Sequence, residues 1–146
     1  MFDLHKFKNN IAVITDRGES LTYGQLLEEV ELMAAAFHRK GLVFTLCENL
    51  LGSFVGYVAC MNKHIPQVLL DGCKDLELVQ RLIGIYQPEY IWMPSARVDE
   101  IGGETIYKCQ EYSLQSMTYE HPLANREFNP ELLLCLTTSG IPVFPT

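Results

Sequence analysis

The residues best suited to chemistry stand near the end of the chain, where Leu132-Leu133-Leu134-Cys135-Leu136 runs directly into Thr137-Thr138-Ser139-Gly140. A short apolar run ending in small polar residues reads as a buried strand. Gly lets the backbone aim successive N–H groups at an anion. Thr and Ser hydroxyls are neutral donors that suit phosphate oxygens. In open α/β sheets, ligands bind at the carboxyl ends of the strands. Thr137, Thr138, Ser139 and Gly140 are therefore candidate phosphate ligands, the opening of a phosphate-binding loop. Taken alone, the four residues also fit an ordinary polar turn.

Other chemistries find little support. The five cysteines, Cys47, Cys60, Cys73, Cys109 and Cys135, are odd in number and form no C-x-x-C pair. They read as reduced, mostly buried thiols of a cytoplasmic protein. His5, His38, His64 and His121 are scattered, so no metal site is expected. Glu28, Glu29 and Glu31 read as a solvated helix face without an acid–base partner. The formal net charge of -7 and the lack of a basic stripe argue against nucleic-acid binding. The one basic cluster, His38-Arg39-Lys40, is expected to complement a helix C-terminus. The N-terminus lacks the apolar core of a signal peptide. The most apolar stretch, 50–61, is too short to span a bilayer.

The elements that must position the loop follow from patterning. With 146 residues, 48% hydrophobic and 20% charged, the chain is long and apolar enough for one core. The β-prone runs 11–15 and 20–22, separated by Asp16-Arg17-Gly18-Glu19, predict a hairpin. Thr22 and Gln25 form a capping box for a first helix, whose apolar stripe is Leu26, Val30, Met33 and Phe37 and whose stop is Gly41. Residues 43–47 predict a strand. Asn49 is the expected cap of a second helix over 50–63. Its Gly52, Ser53, Gly56, Ala59 and Cys60 allow close approach to a sheet. Residues 68–70 predict a strand, and Asp75 caps a third helix through Tyr86, with an apolar face of Leu78, Val79, Leu82, Ile83, Ile85 and Tyr86. Pro88 ends that helix, and 89–93 is another strand. Residues 104–108 form a weaker strand candidate, and 113–129 reads as a linker. Alternating strands and helices with apolar strand interiors imply an α/β fold with a mostly parallel sheet flanked by helices.

The order of these signals resembles the adenylate-forming, or AMP-binding, synthetase superfamily. Its members include acyl-CoA synthetases, luciferases and peptide-synthetase adenylation domains. Leu21-Thr22-Tyr23-Gly24-Gln25-Leu26 is similar to the family's L-T-Y-x-E-L segment, with Gln25 in place of Glu. The stretch from Ala59 to Asp71 resembles a second family segment ending V-P-L-D, although Lys63-His64 replaces a small A-G pair. Leu134 to Gly140 resembles the opening of the phosphate loop Y-T-S-G-S-T-G-x-P-K. The resemblance runs from about Asn10 to Gly140. It implies a partial, N-terminal subdomain of such an enzyme. It also implies ATP and Mg as cofactors of the parent family, a carboxylic-acid substrate, and CoA or a carrier-protein thiol as acceptor. Thr137, Thr138, Ser139 and Gly140 would touch the β- and γ-phosphates. No catalytic residue is assigned.

After Gly140 the family expects S-T-G-x-P-K, whereas this sequence reads Ile141-Pro142-Val143-Phe144-Pro145-Thr146. Codons exist for which restoring a single base turns Ile-Pro-Val-Phe-Pro into Ser-Thr-Gly-Phe-Pro, so residues 141–146 read as an aberrant tail after a frameshift or truncation. Residues 1–146 are then a truncated part of a synthetase large domain, inactive alone, holding no cofactor tightly, and prone to self-association through exposed strand edges. The alternative is a stand-alone small α/β module that binds a ligand or a protein.

Overall fold

The computed structural model describes residues 11–14, 18, 20–39, 41–48, 50–71, 75–120, 122, 134–138 and 141–142. The elements in chain order are β1 (Ile11–Ile14), β2 (Ser20–Thr22), α1 (Tyr23–Ala36), β3 (Val43–Cys47), α2 (Leu51–Asn62), β4 (Gln67–Asp71), α3 (Leu76–Tyr86), β5 (Tyr90–Pro94), a 3-10 turn (Ser95–Arg97), α4 (Val98–Ile101), β6 (Glu104–Cys109), β7 (Tyr112–Ser116), β8 (Leu134–Thr138) and β9 (Ile141–Pro142). β1 and β2 pair antiparallel as a separate two-stranded sheet. Most of the connection expected to turn between them lies outside the described residues.

The remaining strands stand in the order β6-β7-β5-β3-β4-β8-β9. β3 pairs parallel with both β4 and β5, and β4 pairs parallel with β8. β7 runs antiparallel to β5 and to β6. The sheet is thus mixed, which corrects the expectation of a mostly parallel one. The antiparallel pairs come from β9, which runs antiparallel to β8, and from a tight hairpin between β6 and β7. Gln110 takes a left-handed φ of 56° at its turn, a conformation few non-glycine residues adopt. β7 occupies residues expected to be linker. Its sequence YSLQS alternates apolar and polar residues at the strand period of two.

That same period divides the core between the two faces of the sheet. Val43 of β3, Tyr90 and Trp92 of β5, and Tyr112 and Leu114 of β7 face α1 and α2. Phe44, Leu46, Val68, Leu70, Ile91 and Met93 face the opposite way, toward Val79, Leu82 and Ile83 of α3. Helices therefore cover both faces, as expected for strands apolar on both sides.

The helix ends follow local chemistry. At the start of α1 the capping box is present: the Gln25 N–H donates to Thr22 Oγ1 at 3.1 Å, and the Thr22 N–H donates to Gln25 Oε1 at 2.9 Å. The helix stops at Ala36, earlier than Gly41. Phe37 leaves it to meet the edge of the Tyr90 ring at 4.8 Å between centroids. His38 and Arg39 consequently lie beyond the helix and not in its last turn, and Lys40 lies outside the described residues. The Arg39 guanidinium instead donates to the Met117 carbonyl. α2 begins after Leu50, which supplies no side-chain cap, and Asn49 lies outside the described residues. α3 is capped by Asp75 as expected, its side chain accepting from the Glu77 N–H at 3.2 Å. Ile85, expected on the apolar face of α3, is 54% exposed.

Small residues let α2 lie close on the sheet. A Cβ added to Gly52 would come within 2.9 Å of the Tyr112 ring, and one added to Gly56 would overlap the Trp92 indole. The Trp92 indole N–H donates to the Gly52 carbonyl at 2.9 Å, which satisfies the one polar atom of a fully buried ring.

Candidate functional site

Because β3, β4, β5 and β8 are mutually parallel, their carboxyl ends share one edge of the sheet. That edge carries Cys47, Asp71, Pro94 and Thr138. Cys47 pairs with Asp71 in the β3–β4 register. Leu69 pairs with Leu136 in the β4–β8 register. Continued by two residues, that register brings Thr138 level with Asp71. Thr137 and Thr138 are also paired with β9, Thr137 with Pro142 and Thr138 with Ile141. Ser139 and Gly140 lie outside the described residues. Two of the four candidate residues are thus placed, at the end of a strand parallel to its neighbour β4.

The start of α2 lies directly after β3, so it meets the same edge. Ser53 sits in its first turn and accepts from the Glu48 main-chain N–H at 3.3 Å. This draws the β3–α2 connection tight over the strand end. The Cys47 thiol is raised above its ordinary range, first by burial and further by the Asp71 carboxylate, while the Ser53 hydroxyl opposes both. A thiol so disposed is a poor nucleophile, since the thiolate is the reactive form. Beneath it the Tyr112 hydroxyl donates to the Leu46 carbonyl at 2.6 Å. Burial, with the Glu48 and Cys47 charges adding to it and Ser53 opposing, pushes the Tyr112 phenol up to about 12. It therefore stays protonated at neutral pH and acts as a hydrogen-bond donor.

The edge is suited to holding a ligand by position and hydrogen bonds. Among the described residues, no three or more His, Cys, Asp or Glu side chains gather to hold a metal ion. Asp71, Ser53 and Cys47 were not singled out as site residues from the sequence, although each ends a strand or opens a helix at the edge where ligands bind. Tyr112 gives less warning, because the residues that follow it in its strand, 113–116, read as linker.

The architecture has counterparts among solved structures. ATP-bound MatB from Rhodopseudomonas palustris superposes with a TM-score of 0.55 at 18% identity, over 69% of this chain and 20% of MatB. The apo form of the same protein gives 0.55 at 18% identity, over 69% and 21%. The ATP-bound RpMatB-BxBclM chimera B3 gives 0.53 at 18% identity, over 63% and 19%. The chain carries part of the adenylate-forming enzyme fold. At this level of identity the likeness is one of fold, and activity has to be argued from the site. No protein-family model matches the sequence, and no curated protein matches it significantly. The chain spans about a fifth of the length of MatB. No described helix is long and apolar enough to cross a membrane.

Proposed function

We propose that this chain is the N-terminal part of an ATP-dependent ligase that activates a carboxylic acid as its acyl adenylate, and that the chain alone does not turn over. The observation that carries this reading is the placement of β8. It lies parallel to β4 and brings Thr137 and Thr138 to the carboxyl edge, in a fold similar to that of ATP-bound MatB.

In such a reaction a carboxylate oxygen bonds to the α-phosphorus of ATP as the bond to pyrophosphate breaks. The thiol sulfur of CoA or a carrier protein then bonds to the acyl carbon as its bond to the phosphate oxygen breaks, AMP leaves, and the thiol proton is lost. Thr137, Thr138, Ser139 and Gly140 would hold the departing β- and γ-phosphates through hydroxyl and main-chain N–H donors. Their contribution is positioning and charge stabilisation, not covalent chemistry. Mg would be held largely by the triphosphate oxygens and would neutralise charge developing on them. The acid and the acceptor would be chosen by residues outside this chain.

The test is ligand-observed NMR with ATP, together with ATP–pyrophosphate exchange. Weak ATP contact is expected for the chain, and it should disappear in the Thr137→Val/Thr138→Val double variant. No exchange is expected with any carboxylic acid. ATP contact that survives the double substitution would sink the phosphate-loop assignment. Exchange catalysed by the chain itself would overturn its dependence on further machinery.

One observation favours the alternative of a self-standing binding module. Among the described residues, every buried side-chain nitrogen and oxygen has a hydrogen-bond partner, as in a folded unit that holds together by itself. A ligand or protein partner retained by the purified chain, other than a nucleotide, would support that reading.

A further inference from the structure

We draw no further inference here: the strongest candidate, antiparallel pairing of two copies through the outer strand β6 with Glu104 set against Lys108, carries nothing because the bulge between Thr105 and Tyr107 places those two residues opposite Ser116 and Ser113, and so on opposite faces of the sheet, and nothing in the structure shows what else covers that edge.

Discussion

Two glycines show how one residue type takes opposite roles. Gly56 of α2 lies against the Trp92 indole, where a methyl group has no room. Gly84 of α3 is exposed, and a Cβ there would meet nothing within 4 Å. The same substitution should therefore change stability in opposite directions. Gly56→Ala is expected to destabilise by about 1–3 kcal/mol through overpacking. Gly84→Ala should stabilise by roughly 0.5–1 kcal/mol, through better helix propensity and a less flexible unfolded chain. Urea denaturation followed by the fluorescence of Trp92, the single tryptophan, reads both. Equal shifts of the midpoint in one direction would contradict the packing described for α2.

The buried thiols make a second residue-scale prediction. Burial raises Cys60 from 9.0 to about 12. Its proton is held more tightly in the folded chain than in the unfolded one. The associated stability is complete below about pH 9 and is lost as pH rises toward 12. In that window each such group steepens the fall by at most about 1.4 kcal/mol per pH unit. Cys109, pushed up to about 12 by burial and then by Glu29, and Tyr112 act in the same sense. Denaturation midpoints across pH 8–11 should therefore decline, and Cys60→Ala should show a shallower decline. An unchanged slope in that variant would mean that the thiol is not buried as described.

At the scale of elements, helix starts were the most legible features. The Thr22–Gln25 box and the Asp75 cap involve residues two or three apart, so neighbours in sequence decide them. Thr22→Ala should cost about 1 kcal/mol, seen as a lower melting temperature in circular dichroism. Thr22→Ser, which keeps the acceptor, should recover most of it. Helix ends were less legible. α1 stops at Ala36 because Phe37 and Arg39 are taken up by Tyr90 and Met117, residues more than fifty positions away. β7 was missed for a related reason. Ser113 and Gln115 look like linker residues, yet both are buried. Each has a polar partner: the Ser95 hydroxyl lies 2.6 Å from that of Ser113, and the Gln115 side-chain amide donates to the Gly102 carbonyl at 2.9 Å. The structure supplies those partners, so their polarity did not mark a loop.

For the whole molecule, the hairpin β6–β7 changes what one side of the sheet presents. It seats Tyr112 and Tyr107 beside Trp92, at 5.3 and 6.1 Å between ring centroids, and brings the Tyr112 hydroxyl to the end of β3. One buried hydrogen bond, from the Tyr112 hydroxyl to the Leu46 carbonyl, thus ties the hairpin to the end of β3. Tyr112→Phe leaves the Leu46 carbonyl without that donor and should destabilise by about 1–3 kcal/mol, measured by urea denaturation. If the variant is as stable as the parent, that bond does not tie the hairpin to the β3 end. A second polar link crosses the centre of the sheet. There Thr45 Oγ1 donates to Gln67 Oε1 at 3.1 Å, and Gln67 Nε2 donates to the Tyr57 carbonyl at 3.2 Å. It joins β3, β4 and α2 at a point where apolar side chains would be the usual choice.

By itself the sequence determined the α/β alternation, the position of most strands and helices, the two side-chain caps, and the small-residue face of α2. These depend on periodicity, capping and side-chain size, which act over a few residues. It also singled out Thr137 to Gly140 by residue type, and the structure sets Thr137 and Thr138 at the end of a strand parallel to its neighbour. Only the tertiary structure decided that the sheet is mixed, that β8 lies beside β4, and that Cys47, Asp71 and Ser53 share the edge with that strand end. The physical reason is that strand order and direction are set by pairing between segments far apart in the chain. Local patterning says which face of a strand is buried, and is silent about which strand lies beside it.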